Sequence, residues 1–388
     1  MRRICLCLLV VPVFLVSCGR GMPTRQPAAT PTQTRQAIVQ PAATPEQPIA
    51  TPVPATATAL QPTATLAQPA RTPLPPTPTA TGPVPSAAPK AGPLSYPFDK
   101  KSMFFGLSLI KRPEDRVFAK ELGITWVSLQ PHVIWFALEA EPGVYDWSPL
   151  DWEVRWLQEI GVDMTMVLHP TNLFGEGRSQ LAEKIKQQAE SDNYTDMAST
   201  FMAFMRESKE AKQMRLYPHD ETLPVWIRFV KAAVDRYDGD GKNDMPGLKY
   251  AIRNWHLVEE FPMPEWDSSQ TYVEVLKQTS PAIKGEDPSA KVIIPGLAGN
   301  YARFFAFADG FIQDPDGGVI NGRRLTRQAV AAIPGLQKEK VSYEYILRQG
   351  KDYFDIVDIH LYEEKETFVE GKLEWLKHKM QEYGYSKP

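Results

Sequence analysis

Two adjacent carboxylates, Glu259 and Glu260, stand between an apolar run and two prolines, Pro262 and Pro264. Residues 251–258 are aromatic, β-branched and apolar enough to form a buried strand, and the prolines end it. Paired carboxylates at a strand end are suited to general acid and base work. Two close negative charges oppose each other's ionisation, so one carboxyl can keep its proton near neutral pH. The plain alternative is that two glutamates merely decorate the end of a strand.

Other residues could join that chemistry. His169 closes the strand expected over 162–168, just before Pro170, and His360 and Tyr362 close Asp355-Ile-Val-Asp-Ile-His-Leu-Tyr362. Asp238-Gly-Asp-Gly-Lys-Asn-Asp244 alternates acids with turn-forming glycines, like the first half of a calcium loop, with Asp238, Asp240 and Asp244 as ligands. The bidentate glutamate such a loop needs is replaced by Lys249, so the alternative is a solvated turn before a strand.

The elements that must position these groups alternate regularly. Strands are expected over 103–108, 124–129, 162–168, 251–258, 291–297 and 354–361. Helices are expected over 113–122, 149–160, 224–237, 271–283, 340–348 and 366–383. Near-continuous apolar strands alternating with helices give an α/β fold, a parallel sheet covered by helices. Carboxylates at the carboxyl end of a central strand point to a TIM (β/α)8-type barrel, whose sites lie at that end. Inserts at 171–221 and 313–335 fall on the same side, where loops shape a cleft.

At this point the strand resembles the fourth strand of the retaining β-glycosidases of glycoside hydrolase clan A, which reads Tyr-Trp-x-x-x-Asn-Glu-Pro. Laid on Trp255-His-Leu-Val-Glu-Glu260, the family's acid/base falls on Glu260 and its asparagine on Glu259, a departure. Glu141-Pro-Gly-Val-Tyr-Asp-Trp147 is similar to the loop after strand two, and Gln130 holds the place of an arginine common there. The 355–362 segment is similar to strand six, whose His and Tyr line the site. The resemblance covers 103–388 at scattered positions. It implies a retaining two-carboxylate mechanism and an oligo- or polysaccharide substrate. It also implies sugar-facing roles for His360, Tyr362, His169 and Gln130. Trp135 and Trp266 could stack on pyranose faces, the alternative being packing. The family's nucleophile lies on strand seven. Six strand-helix units are present before Pro388, so the expectation is an incomplete barrel without its nucleophile strand, inactive by itself.

The chain start has its own reading. Arg2 and Arg3 precede an apolar run to Val16, and Leu15-Val-Ser-Cys18 resembles a bacterial lipobox. The expected organisation is a lipoprotein signal over 1–18 with Cys18 lipidated, a disordered Pro/Thr/Ala-rich linker over 19–95, and a barrel domain over 96–388. The linker cannot bury enough apolar area to offset its chain entropy. Of the 3 cysteines, Cys5 and Cys7 leave with the signal, so no disulfide framework remains. A net charge of −3 offers no basic patch for nucleic acid. The expected protein is an exported, membrane-anchored glycosidase facing away from the cytoplasm. A carbohydrate-binding or scaffold lipoprotein on the same barrel is the rival, favoured by Gln130 and Glu259. If the lipobox reading holds, Cys18→Ser moves the protein from the detergent phase to the aqueous phase on extraction. Equal partition of both forms refutes it.

Overall fold

The computed structural model describes residues 93–98, 106–110, 113–171, 200, 203, 218–219, 221–262, 268–362 and 365–385. The signal with Cys18, the linker up to 92, Trp266 and nearly all of the 171–221 insert lie outside the described residues. Docking begins slightly before residue 96. Leu94 packs against the core and its amide donates to the Gly239 carbonyl at 2.8 Å.

In chain order the described strands are β1 (Gly106–Leu107), β2 (Trp126–Val127), β3 (His132–Ile134), β4 (Glu139–Glu141), β5 (Val144–Tyr145) and β6 (Asp163–His169). They continue as β7 (Asn254–Leu257), β8 (Glu260–Phe261), β9 (Lys291–Leu297), β10 (Val319–Ile320), β11 (Arg323–Arg324) and β12 (Ile356–Ile359). The main sheet runs β1-β2-β6-β7-β9-β12, with β3 added to β6 and β8 to β9. Every pairing within it is parallel. Helices Pro113–Glu121, Ser148–Ile160, Leu223–Tyr237, Ser269–Glu286, Pro334–Gly350 and Glu366–Glu382 alternate with these strands. The architecture is α/β, six strand-helix units of a TIM-type barrel forming an open half-barrel.

Local chemistry explains the elements. Ser148–Ile160 has Pro149 in its first turn, where a missing N–H is harmless, and ends at Gly161 with φ 86°. Leu150, Val154 and Leu157 share one face at helical spacing, and all three are buried. Strands two and four are each broken in a way the apolar runs do not announce. Strand two splits around Pro131, and its two pieces pair with different ends of β6: Trp126 with Asp163, His132 with Val167. A proline has no N–H for a ladder, which is why the run does not continue. Helices Tyr301–Ala308 and Arg327–Ala331 were not legible in the periodicity, and Pro334–Gly350 begins six residues before the expected 340 because Pro334 opens it.

The stretch from Trp135 to Trp147 is a structural clasp. Trp135 is fully buried, with its ring against Trp226 at 5.3 Å and Phe229 at 6.2 Å. The expectation that it stacks on a sugar is therefore corrected: its faces are taken by helix Leu223–Tyr237. Its indole N–H donates to Glu139, a buried carboxylate that also accepts from Gly143 N and, at 2.8 Å, from Arg228. Each buried donor orphaned by losing its acceptor costs about 1–3 kcal/mol. Glu139→Ala is therefore expected to destabilise by about 2–4 kcal/mol in chemical denaturation. Arg228→Ala leaves the same carboxylate buried without its cation and should cost a comparable amount. A loss below about 0.5 kcal/mol in Glu139→Ala would refute the clasp.

Candidate active site

Strand four reaches the site through a register break. β7 pairs with β9 up to His256 and with β6 up to Leu257, and Val258 then takes φ 67°, a left-handed conformation costly for a β-branched residue. Val258 is held there by its amide's bond to the Leu168 carbonyl at 3.1 Å. Pairing resumes in β8, with Glu260 beside Gly296 of β9. The break delivers Glu260 toward the end of β12, where a compact polar cluster waits.

The Glu260 carboxylate lies 2.9 Å from His360 Nδ1 and accepts from the Tyr362 hydroxyl at 3.3 Å. Tyr362 is also 2.8 Å from His360 Nδ1. On its other side His360 Nε2 meets Asp358 at 3.2 Å. The imidazole is only 4% exposed, whereas the Glu260 side chain is 46% exposed. A buried ring thus backs a carboxylate that faces solvent.

The charges follow from this arrangement. Burial opposes a positive charge on His360, but its hydrogen bonds to Asp358 and Glu260 outweigh that and raise it from 6.5 to about 9. The imidazole is therefore a cation at neutral pH. The same His360 contact holds Glu260 below its ordinary value, against the opposing effect of burial. Asp358 is also held below the ordinary range: burial pushes it up, while the hydrogen bond from His360 and the charge on that ring prevail. The expectation that Glu259 raises Glu260 is corrected, because an imidazolium in contact outweighs a neighbouring carboxylate. Glu259 itself is half-buried, its carbonyl accepting from Gly296 N at 3.0 Å, and its charge helps burial raise the Tyr362 phenol.

Three further residues make the cluster possible. A Cβ on Gly296 would stand 2.5 Å from His360 Nε2 and 2.6 Å from Asp358, so only glycine lets the pair lie across β9. Lys372, fully buried, donates to the His360 carbonyl at 2.6 Å and ties β12 to helix Glu366–Glu382. His256 is 2.9 Å from the Ile294 carbonyl, to which its Nε2–H donates, and burial keeps it neutral. Below lies an interior groove of about 240 Å³ walled by Trp126, Thr165, Asn254, His256, Asp358 and His360. Asp358 was missed although it stands two before His360 on one strand, a spacing that puts both on one face. Gly296 also had a signal, since a glycine inside a strand marks close approach.

The remaining expected site residues lie elsewhere. His169 is 4% exposed and pairs with His132 at 2.8 Å; burial and that neighbour hold it well below the ordinary histidine value. It is a neutral buried residue rather than a sugar-facing one. Gln130, 1% exposed, exchanges hydrogen bonds with the Ile110 backbone and donates to Glu153. A neutral amide suits that clasp, so Gln130 does not serve as the arginine's substitute at a substrate. Trp266 lies outside the described residues.

Asp238, Asp240 and Asp244 do come together, with one oxygen from each within 4.8 Å of the others. Burial, aided by the neighbouring acids, pushes Asp238 up to about 7. Yet Asp240 is taken by Lys242 at 2.8 Å, and the two Asp244 oxygens accept from Gly239 and Gly241. Calcium takes six to eight oxygens, so these residues do not complete its cage. The loop also precedes β7, at the opposite end of the barrel from Glu260, and takes no part in the site.

No family model and no curated protein matches the chain. Its structural neighbours are glycoside hydrolases. A family 39 glycoside hydrolase from Bacteroides cellulosilyticus WH2 is 15% identical with a TM-score of 0.32, over 50% of this chain and 32% of that one. Endo-glycoceramidase II from Rhodococcus sp. is 15% identical with a TM-score of 0.33, over 70% of this chain and 66% of that one. A glucosidase from Croceicoccus marinus is 16% identical with a TM-score of 0.29, over 49% of this chain and 35% of that one. The chain thus spans about a third of the first and third of these and about two thirds of the second.

The charge on His360 has a stability consequence. A histidine raised by its partners stabilises the fold fully below about 6.5 and loses that contribution as pH rises through about 9. The expected loss between pH 7 and 10 is about 2–3 kcal/mol. His360→Gln should abolish this alkaline dependence, and identical pH–stability curves for the two forms would refute it.

Proposed function

We propose that this chain carries a glycoside hydrolase domain that cleaves β-linked glycans by a retaining, two-carboxylate mechanism, held outside the cytoplasm by a lipid on Cys18. The observation that carries the reading is Glu260, a half-exposed carboxylate at the carboxyl end of a barrel strand, backed by a buried imidazolium. Glycosidic cleavage needs a proton for the departing oxygen, and the Glu260–His360 pair holds one at neutral pH. As the C–O bond breaks, the oxygen takes that proton, leaving a neutral imidazole beside an ionised carboxylate. Tyr362, 48% exposed with its hydroxyl on Glu260, stands where it would meet the sugar. In this proposal the attacking carboxylate is the one the clan resemblance puts on strand seven, roughly 5–5.5 Å from the acid.

The substrate class rests on the resemblance in strands two, four and six. A glycan-binding protein with the same cleft would share the groove and Tyr362 but not need a transferable proton at Glu260. The test is leaving-group dependence. In the protein that also carries the strand-seven carboxylate, Glu260→Gln should cut hydrolysis of glycosides with poor leaving groups by about 10²–10⁴-fold, the usual worth of general acid catalysis. An aryl glycoside with a good leaving group should suffer far less, because its oxygen departs without a proton. Glycan binding without turnover by the wild type that carries strand seven would favour the binding protein. The selective loss appearing in Glu259→Gln rather than Glu260→Gln would exchange the two glutamates.

A further inference from the structure

Asp358 meets Glu260 through His360, and three features show that the contact is built. The Asp358 side chain is directed at Nε2, the ring nitrogen that faces away from Glu260. Gly296 clears the space both groups cross, since any side chain there would enter the contact. Lys372 and the Leu297 carbonyl fix the His360 backbone from two directions, at 2.6 and 3.2 Å. A ring gripped at both nitrogens and by its own backbone cannot turn. Its only hydrogen-bonding arrangement that serves two carboxylates has a proton on each nitrogen.

We propose that Asp358 is a positioning residue that, through His360, keeps a transferable proton at Glu260. This rests on the hydrolase reading above and extends it to a residue that acts on the acid through another side chain. The charged and titratable groups facing His360 are Glu260 from β8, Asp358 and Tyr362 from β12 and its extension, His256 from β7, Lys372 from helix Glu366–Glu382 and, beyond Asp358, Tyr343 from helix Pro334–Gly350. Among them only Glu260 and Asp358 bring negative charge to the ring in hydrogen-bonding contact, so they share the holding of its proton. Without Asp358 the half-exposed Glu260 is left to do it alone, and the pair loses its proton at lower pH.

The roles separate in an experiment with two readouts, NMR on this chain and kinetics on the protein that also carries the strand-seven carboxylate. Histidine side-chain nitrogens are followed by long-range proton–nitrogen NMR against pH, with His360 assigned from its loss in His360→Gln. In the wild type both His360 nitrogens should be protonated at pH 7.5 and titrate near 9. In Asp358→Asn, which keeps the shape and removes the charge, titration should move down by at least one pH unit. The alkaline limb of kcat/KM on an aryl β-glycoside should move with it while KM changes less than twofold. A neutral wild-type imidazole at pH 7.5 overturns the role of Asp358 without recourse to any variant. So does an Asp358→Asn protein whose imidazole titrates where the wild type does. An NMR shift together with no β-glycoside turnover by the protein that also carries the strand-seven carboxylate overturns the hydrolase reading alone, leaving the Asp358–His360 coupling intact.

Discussion

A protonated imidazole buried among the ends of parallel strands requires two negative partners, and that requirement organises the carboxyl end of this barrel. His360 lies between Glu260 and Asp358, at 2.9 and 3.2 Å. Burying a charge is expensive unless it is paired and hydrogen-bonded, so the strands must place both carboxylates on the ring at once. β8 brings one and β12 the other, and β9 between them must be flat where they meet, which is why Gly296 stands there. The strained Val258 belongs to the same requirement. Without that turn, strand four would not resume pairing with Glu260 beside Gly296.

The rest of the described fold holds this end steady without joining it. Glu139 and Gln130 are buried polar residues on the strand-two side, and both are spent on clasps to helices and backbone. Below, Asp163 gathers the Tyr96 hydroxyl at 2.6 Å and the Asn254 amide at 2.8 Å, closing the amino end of the sheet with the segment that enters the fold. On the carboxyl side, Lys365 reaches both Asp314 and Asp316 and joins the 313–335 insert to the last helix. This division of labour is that of barrel folds generally, in which one end carries chemistry and the other carries stability.

Electrostatics separates the histidines by surroundings rather than by type. His360, His169 and His256 are all buried, yet among the described contacts it is His360 that has carboxylates against it and is held charged. His169 faces another histidine, and His256 is bonded to a carbonyl; burial dominates and both stay neutral. The physical distinction is that hydrogen bonds to a charged form must outweigh the loss of water around it. A neutral carbonyl or imidazole does not provide that, and two carboxylates do.

What the sequence by itself determined is the architecture and one strand end where titratable side chains gather. Apolar runs of strand length alternating with amphipathic stretches leave few folds other than helices over a parallel sheet. Glu260, His360 and Tyr362 could be named together because strand ends in such a fold converge. The tertiary structure decided the partners. Whether a buried Gln or Trp faces a substrate or a clasp depends on what crosses it from another element, and composition carries no trace of that; Gln130 and Trp135 were claimed by Glu153 and Trp226. The sign of the Glu260 shift was decided in the same way. Its sequence neighbour is a carboxylate, but its contact in space is an imidazolium 100 residues further along, and at contact distance the spatial partner prevails.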